Sequence, residues 1–509
     1  MVSAASRNHH SEEDAHLCSR SSSPLHVTNY NAINSNHIHS NDNVSSNTSN
    51  KLSQYWSLLS THSDFRWFLF SSLVTTVGEW LTYVASIAVI EEIHSSNGEV
   101  SRTSISILVI LRLLPSSLFA PIGGTLADSF DRRTILFILD YIGALVAWLY
   151  VLSYYLRSIW AVYLTTFLQM TVSALYEPSH SAIVPMLIPQ EDSLEKAMIL
   201  VSSAYVLMQA VGSSVGGFLT GAVGIQYCFI IDSSSYLASA LMIWKISGEY
   251  NPVVDSNERA VEMNAKLEST TETEESWLSL SNFTRMTKEG LRYLFSQSWG
   301  AFVLLKFFAA LIYGSADVLN VSFAEQGESS SEINLDSSRS NQRMGILFAF
   351  VGVGCIIGPF FVEHFTRMEN ISSLERACLV SFFIMALGCY GLWQFDHFLL
   401  ICIFSAIRSA GSNIVWTYSS LLLQKLSTSS MRGRVFAVDY ALATMSESVS
   451  ALMGGALQDY ASFSAAQVSL IMAIIALITL IIWSVYFSRV EAVEESGNDR
   501  DQIDDNIIA

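Results

Sequence analysis

Apolar stretches of about 20 residues recur along the chain from Trp67 to Phe487, and they constrain the fold more than any other feature. That length lets an α-helix cross the roughly 30 Å hydrocarbon core of a bilayer. Only 14% of all residues are charged, which agrees with a bilayer as the solvent. An all-α membrane protein is therefore predicted, with twelve spans at residues 67–90, 104–127, 134–155, 158–178, 196–221, 225–246, 298–323, 344–365, 374–395, 398–421, 434–457 and 465–488.

Lysine and arginine set the orientation of such a protein, because cytosolic loops are enriched in them. If the N-terminus is cytosolic, fourteen basic residues fall in inner loops and four in outer loops. Both termini are therefore expected to face the cytosol. No address signal is recognisable in the sequence, so the plasma membrane is the default expectation and an organellar membrane is the alternative.

Changes in composition divide the chain into five regions. Residues 1–62 are rich in Ser, Asn and His, and a disordered cytosolic tail is expected there. Acidic residues among Ser and Thr mark a cytosolic linker at 249–297. The linker separates six-helix bundles at 63–248 and 298–488, and an acidic cytosolic tail follows at 489–509.

Two sequence patterns match between the predicted halves and indicate two pseudo-symmetric bundles. A glycine pair in the fifth span matches one in the eleventh, and an acidic residue followed by arginine after the second span matches the same pattern after the eighth. The matched residues are Gly216-Gly217 with Gly454-Gly455, Gln209 with Glu447, and Asp128 and Arg132 with Glu363 and Arg367.

A short turn joins the second and third spans and carries Gly124, Asp128, Asp131, Arg132 and Arg133. The two arginines satisfy the positive-inside rule alone, and that rule does not require Asp128. The carboxylate of Asp128 is expected to pair with the arginines or to cap another helix, contacts worth about 0.3–2 kcal/mol. Gly124 is expected to let a neighbouring helix approach closely.

This turn resembles the G-x-x-x-D-x-x-x-R-[RK] signature of the major facilitator superfamily, with Gly124, Asp128, Arg132 and Arg133 in register. Asp131 stands where that signature usually has glycine, which loosens the geometry expected for the turn. The resemblance covers residues 65–488 and implies the twelve-helix major facilitator fold.

Shorter stretches are similar to the exporters that include enterobactin and macrolide efflux proteins. They are Val77-Gly78-Glu79-Trp80, Glu177-Pro178, Ile183-Val184-Pro185, Lys288-Glu289-Gly290-Leu291 and Arg432-Gly433-Arg434-Val435-Phe436. The likeness implies that Asp128 meets the start of the eleventh helix near Gly433 and Arg434, and latches the cytosolic side shut when the pocket opens outward. Antiporters of the superfamily often carry Gly-Pro in the fifth helix, but this chain has Gly212-Ser213.

Ionisable residues within a span mark either a pathway or a packing ion pair. Glu79 and Arg112 lie roughly 18 Å and 22 Å from the cytosolic side, so a pair at mid-depth is predicted. Arg408 and Glu447, at roughly 20 Å and 18 Å, would form a second pair. The alternative for both is an ion pair that only locks helix packing. The predicted lining of the central pocket is Glu79, Arg112, Gln209, Arg408, Asn413 and Glu447.

Four other charged residues in spans, Asp140, Lys306, Asp317 and Asp439, are interpreted as structural. Asp232 lies about midway along the sixth helix. Asp140, Lys306, Asp317 and Asp439 lie nearer helix ends, where side chains can reach water.

These features predict a secondary active transporter that works by alternating access and exports a small amphipathic organic molecule by proton antiport. No nucleotide-binding or metalloprotease motif is present in the sequence, so neither an enzyme, a cofactor, a metal site nor nucleic-acid binding is expected. The expected partners are a small-molecule substrate, protons and the lipid bilayer, and the expected state is a monomer. The alternatives are a facilitator or importer on the same fold and a non-transporting sensor or scaffold.

Overall fold

Long α-helices account for nearly all of the chain that the computed structural model describes, which is residues 55–96, 101–248, 250, 291–297, 299–326, 333–368, 370–428 and 431–508. The first six helices are α1 Ser63–Ser96, α2 Arg102–Ser129, α3 Arg132–Leu156, α4 Ile159–Leu187, α5 Glu191–Ala222 and α6 Ile225–Trp244. The last six are α7, broken into α7a Leu304–Tyr313 and α7b Ala316–Glu325, then α8 Ile333–Glu363, α9 Ile371–Gln394, α10 Phe398–Leu426, α11 Arg432–Asp459 and α12 Ala465–Ile508.

Ten helical segments within the described residues are long and apolar enough to cross a membrane, and Gly300–Glu325 counts as one of them. The all-α membrane fold predicted from the sequence is confirmed. The two remaining helices, α2 and α11, have 28 residues each, which is long enough to span. They pack against each other between the first six and the last six helices. Because protein rather than lipid covers much of their surface, they tolerate more polar residues.

Polar residues at helix starts explain why the chain can turn back within a few residues. The side chains of Ser101, Asp131, Ser158 and Asn370 accept hydrogen bonds from backbone N–H groups in the first turns of α2, α3, α4 and α9. Such caps satisfy donors that have no partner inside a helix. We call the membrane side with the helix ends Ser129 and Arg132 the turn side, and the opposite side, with Ser96 and Arg102, the far side.

The matched glycine pairs have equivalent surroundings in the two halves. Gly216 of α5 packs on α1, and Gly454 of α11 packs on α7 at Ser315. Gly217 touches the backbone of α8 at Gly345, and Gly455 touches that of α2. In each pair the first glycine therefore allows packing within one half and the second allows backbone contact between the halves, as small residues do in membrane bundles.

The predicted region boundaries need three corrections. Residues 55–61 are helical and Leu58 is 6% exposed, so order begins inside the tail predicted for 1–62, because Leu58 packs with Phe65 and Phe68. Residues 291–296 of the predicted linker are also helical. α12 continues to Ile508 through the predicted C-terminal tail. Residues 1–54 and 251–290 lie outside the described residues.

Candidate functional site

A small cavity lies among α1, α2, α3 and α4, and it has room for about one water molecule. Glu79 and Arg112, predicted to meet at mid-depth, both line it. The full lining is Glu79, Thr82, Tyr83, Ser86, Leu108, Arg112, Tyr150, Thr166, Gln169 and Met170.

Glu79 and Arg112 share this cavity but, although both side chains are described, no direct ion pair joins them. The guanidinium carbon of Arg112 lies 4.3 Å and 4.2 Å from the ring centroids of Trp80 and Tyr83, where cation–π attraction holds it. Oε1 of Glu79 instead accepts a hydrogen bond of 2.7 Å from the hydroxyl of Tyr236. The charge of Glu79 is therefore not fixed by a salt bridge.

Arg408 and Asn413 differ from their predicted positions in the pocket. Arg408 is 1% exposed, donates from Nη2 to Oδ1 of Asn320 at 2.9 Å, and lies 5.6 Å from the ring centroid of Tyr313. Nδ2 of Asn413 donates to the carbonyl of Cys355 at 2.7 Å and joins α10 to α8. Both residues hold helices together inside the second half, because counting residues along a helix gives depth but not the direction of a side chain.

Gln209 and Glu447, which match in the sequence repeat, are both partly buried. Their side chains make no hydrogen bond or ion pair with any residue that the structure describes. Glu447 lies within electrostatic range of Arg112 and Asp317, so the second predicted pair with Arg408 is not formed. A pathway role for Gln209 and Glu447 stays a prediction.

Asp317 joins the two halves at the level of the cavity. Its Oδ2 accepts a hydrogen bond of 2.5 Å from the hydroxyl of Tyr83 on α1. The break in α7 explains its position, because Gly314 packs directly on the backbone of Glu447 and Ser315 N donates to Ser450 Oγ at 3.0 Å. The sequence predicts that Asp317 reaches water, whereas in the structure it accepts a hydrogen bond from Tyr83. The pair Gly314-Ser315, which precedes it, is the sequence feature that indicates a break in α7.

Asp140, Lys306 and Asp439 also differ from the prediction that they reach water. Asp140, Asp232 and Asp439 are each 0–1% exposed and Lys306 is 4% exposed. Lys306 forms an ion pair with Asp439 inside the second half. Neighbouring helices cover these side chains, as α11 does for Lys306 and α6 does for Asp140, and a count along one helix does not show this.

Contacts between the halves are strongest on the far side, in a far-side cluster of Glu91, Arg102, Glu325 and Asp459. The carboxylate of Asp459 on α11 accepts hydrogen bonds from the backbone N of Arg102 and of Thr103, at 2.9 Å and 2.8 Å. It thus caps the N-terminus of α2, where a negative charge is stabilised. The guanidinium of Arg102 pairs with Glu91 of α1 at 3.2 Å and with Glu325 of α7b.

On the turn side the two halves leave open space at the positions predicted for the latch. Gly124 and Gly433 both have open space where a side chain would lie. Gly124 therefore does not provide the close helix approach predicted for it, and Gly123 does so against the backbone of α4. The side chain of Asp128 lies outside the described residues, so its latch with Gly433 and Arg434 stays a prediction.

The arginines of the turn hold α3 to its neighbours within the first half. Arg133 donates to the carbonyls of Ile243 and Trp244 at 3.3 Å and 2.6 Å. Those carbonyls end α6, and a cation there is favourable. Nη1 of Arg132 lies 2.7 Å from the sulfur of Met186 at the end of α4.

Asp131 makes the turn tighter than the signature comparison suggested. Its Oδ2 accepts from the backbone N and the hydroxyl of Thr134 at 2.9 Å and 2.6 Å, and its Oδ1 accepts from the backbone N of Tyr250 at 2.7 Å. Partial burial opposes the charge, but these hydrogen bonds outweigh it and lower the pKa of Asp131 below its usual range. The aspartate thus fastens the start of α3 to the chain that leaves α6.

The matching pattern in the second half, Glu363 and Arg367, is not held by side-chain hydrogen bonds of this kind among the described residues. Glu363 and Arg367 are both exposed at the end of α8, and no ion pair joins these two described side chains. Nη1 of Arg434 lies 3.5 Å from the sulfur of Met431.

The halves therefore meet closely on the far side and leave open space at Gly124 and Gly433 on the turn side, and we call this open space the cleft. Leu118, Tyr205 and Tyr440 lie on the turn-side parts of α2, α5 and α11 and are 55%, 50% and 43% exposed. Nearer the far side, α5 touches α8 at Gly217 and α11 touches α2 at Gly455. The buried charges at mid-depth are costly in a membrane protein, and such residues default to functional sites.

The fold thus defines a multi-pass α-helical membrane protein. Residues 54–508 match the transmembrane secretion effector family, MFS_3. The chain belongs to this family of the major facilitator superfamily, which confirms the resemblance seen in the turn.

Curated relatives come from bacteria. The chain is 27% identical over 177 residues to the uncharacterized MFS-type transporter YfiS of Bacillus subtilis, covering 35% of this chain and 40% of YfiS. It is 29% identical over 114 residues to macrolide efflux protein A of Streptococcus pyogenes, covering 21% of this chain and 28% of that protein. The chain thus spans less than half the length of these relatives.

Solved structures of transporters share the fold. The nucleoside transporter NupG aligns with a TM-score of 0.56 at 10% identity, over 82% of this chain and 99% of NupG. A POT family transporter in complex with a thioalcohol-conjugated peptide aligns with a TM-score of 0.61 at 11% identity, over 84% of this chain and 96% of that protein.

Proposed function

We propose that the protein is a secondary active exporter that moves a small amphipathic organic molecule out of the cytosol in exchange for protons. The observation that carries the proposal is Glu79, a carboxyl group that lines a cavity at mid-depth and is bonded to a hydroxyl rather than to a cation. Such a group can gain and lose a proton as access alternates. The relative named macrolide efflux protein A suggests a macrolide as the first substrate to test.

The open cleft supports loading from the cytosol, because the turn side carries the basic loops that predict the cytosolic face. A substrate that enters meets Tyr205 and Tyr440, two exposed aromatic side chains on facing helices. Aromatic walls suit an amphipathic molecule. The substrate leaves when the far-side cluster separates and the turn side closes.

Proton coupling follows from the position of Glu79 in this cycle. When the far side is open, Glu79 takes up a proton from outside and the substrate is released. When the turn side is open, the proton leaves to the cytosol and a new substrate binds. Arg112 lies in the same cavity and favours the ionised form of Glu79 after the proton has left.

Transport by the full-length protein in proteoliposomes tests the proposal, with radiolabelled erythromycin as the macrolide probe. Molecules whose turn side faces outward should accumulate the probe in vesicles with an acidic interior. Glu79→Gln should abolish this gradient-driven accumulation but keep exchange of probe across the membrane at equal pH. The matched control is Asp396→Asn, an exposed carboxylate between α9 and α10, which should transport like wild type.

Three outcomes would contradict parts of the proposal. If Glu79→Gln still accumulates the probe in response to the gradient, Glu79 is not the coupling acid. If wild-type flux does not depend on the pH gradient, the protein is a facilitator, a reading that the missing proline after Gly212 favours. If wild-type vesicles move no erythromycin under either gradient, the macrolide class is wrong.

A further inference from the structure

A row of buried polar side chains runs along α6 inside the first six helices, behind the cleft. Asp232, Tyr236 and Ser239 follow one another at about one helical turn on this helix, so their side chains are neighbours. Each is at most 5% exposed. Between them these three residues bring the carboxyl groups of Glu79 and Asp140 into one row.

Asp232 forms the far-side end of the row. Its Oδ2 accepts a hydrogen bond of 2.7 Å from the hydroxyl of Thr82 on α1, and its Oδ1 lies 3.4 Å from the hydroxyl of Ser235. Both oxygens thus have a hydroxyl partner. Asp232 and Ser235 lie directly against Gly78, which places α6 beside Glu79.

Glu79 and Tyr236 form the middle of the row. The hydroxyl of Tyr236 donates to Oε1 of Glu79 at 2.7 Å and accepts from Nε2 of Gln169 at 2.7 Å. Gln169 is 1% exposed, and its Oε1 has no hydrogen-bond partner among the described residues. This acceptor belongs to the lining of the one-water cavity beside Glu79.

Asp140 forms the turn-side end of the row. It lies on α3, roughly 12 Å from the turn-side end of that helix, and is 1% exposed. Oδ2 accepts a hydrogen bond of 2.6 Å from the hydroxyl of Ser239. Oδ1 is buried and has no partner in the described part of the chain.

The charged and titratable groups that face Asp140 include no cation among the described residues. They are Glu79 of α1, Tyr176 of α4 and Tyr236 of α6, beside the hydroxyl of Ser239 on α6. Burying a carboxylate without a cation is costly, and such a group instead keeps a proton. A protonated carboxyl group also has one hydrogen-bond donor, its O–H group, which an ionised carboxylate lacks.

We propose that Asp140 is a second proton-binding site, linked to Glu79 and placed between it and the cytosol. The inference rests on the proposed proton exchange. In the step, the O–H bond of the Glu79 carboxyl breaks and an O–H bond forms at Asp140. Tyr236, which is hydrogen-bonded to Glu79, and Ser239, which is hydrogen-bonded to Asp140, lie about one helical turn apart between the two carboxyl groups. Glu79 is left ionised, and Asp140 then releases the proton to the turn side. Protons therefore leave through the helix bundle, and the substrate uses the cleft.

Infrared difference spectroscopy of the full-length protein in liposomes, between acidic and alkaline buffers, tests the site without any substrate. A carbonyl band of a protonated carboxyl should be lost in Asp140→Asn and kept in Asp396→Asn. In Glu79→Gln the Asp140 band should disappear at lower pH than in wild type, because the neighbouring negative charge is gone. A band unchanged in Asp140→Asn, or one with the same midpoint in Glu79→Gln, would overturn the proposal.

Ser239→Ala provides a second variant in case Asp140→Asn does not fold. It removes only the hydroxyl that donates to Asp140 and should shift the position of the band; an unshifted band counts against the site.

The erythromycin assay separates this proposal from the preceding one. If wild-type protein accumulates the probe but Asp140→Asn does so equally fast, the second site falls and proton antiport stands. If wild-type protein moves no probe, but the infrared band is lost in Asp140→Asn and has its midpoint at lower pH in Glu79→Gln, the second site stands and the proposed export falls.

Discussion

Replacing Asp459 by alanine should shift the protein from the conformation closed on the far side towards the one open there. Asp459 on α11 accepts two backbone hydrogen bonds at the N-terminus of α2, at 2.9 Å and 2.8 Å. The two helices belong to different halves, so these bonds exist only while the far side is closed. The substitution therefore removes stabilisation from one state alone.

The size of the shift follows from the chemistry of the contact. Loss of an N-terminal cap costs about 0.5–2 kcal/mol, and a charged acceptor at a helix start belongs in the upper part of that range. Ser101, whose hydroxyl accepts from Ser104 N at 3.3 Å, still caps α2 in the variant and limits the loss. A change of about 1–2 kcal/mol corresponds to roughly a 5- to 30-fold change in the ratio of the two states.

Pulsed electron paramagnetic resonance can measure that ratio in liposomes, with spin labels at the far-side ends of α1 and α9, on Ser95 and Gln394. Both positions are exposed. The long-distance population should grow in Asp459→Ala and stay unchanged in Asp396→Ala, the exposed control. The reasoning is refuted if Asp459→Ala leaves the two populations as they are, or if the control changes them equally.

Two further predictions concern the turn. Arg133→Ala should lower the free energy of unfolding in detergent by about 1 kcal/mol, because the carbonyls that end α6 lose a charged donor. The control is Arg157→Ala, which removes an exposed arginine on the far side. An equal loss of stability in the two variants would contradict the role of Arg133. Asp131 has a lowered pKa, so its stabilisation is present above the unfolded value of about 3.9 and is lost as pH falls through the folded value. Asp131→Asn should therefore be less stable than wild type at neutral pH and lose less stability in acid, as followed by thermal unfolding; parallel pH curves would contradict this.

The sequence alone determined the class of protein. Spans can be read from it because each crossing needs about 20 apolar residues in a row, a requirement that is local in the chain. The spacing of Gly124, Asp128, Arg132 and Arg133 identified the family, because a turn between two helices is formed by residues that are close together in the sequence. The approximate depth of a residue in the membrane could also be predicted from the sequence, because each residue advances a helix by a fixed rise. Glu79 and Arg112, predicted at similar depths, do line one cavity.

Only the tertiary structure decided which way each side chain points and what it meets. Arg408 bonds to Asn320 inside the second half, and Asp317 reaches Tyr83 because α7 breaks. Asp140 is enclosed by helices that are distant in sequence. Span length and helix rise depend on the chain itself, whereas the partner of a buried charge depends on how twelve helices pack, and that packing sets both the side on which the cleft opens and the path proposed for the proton.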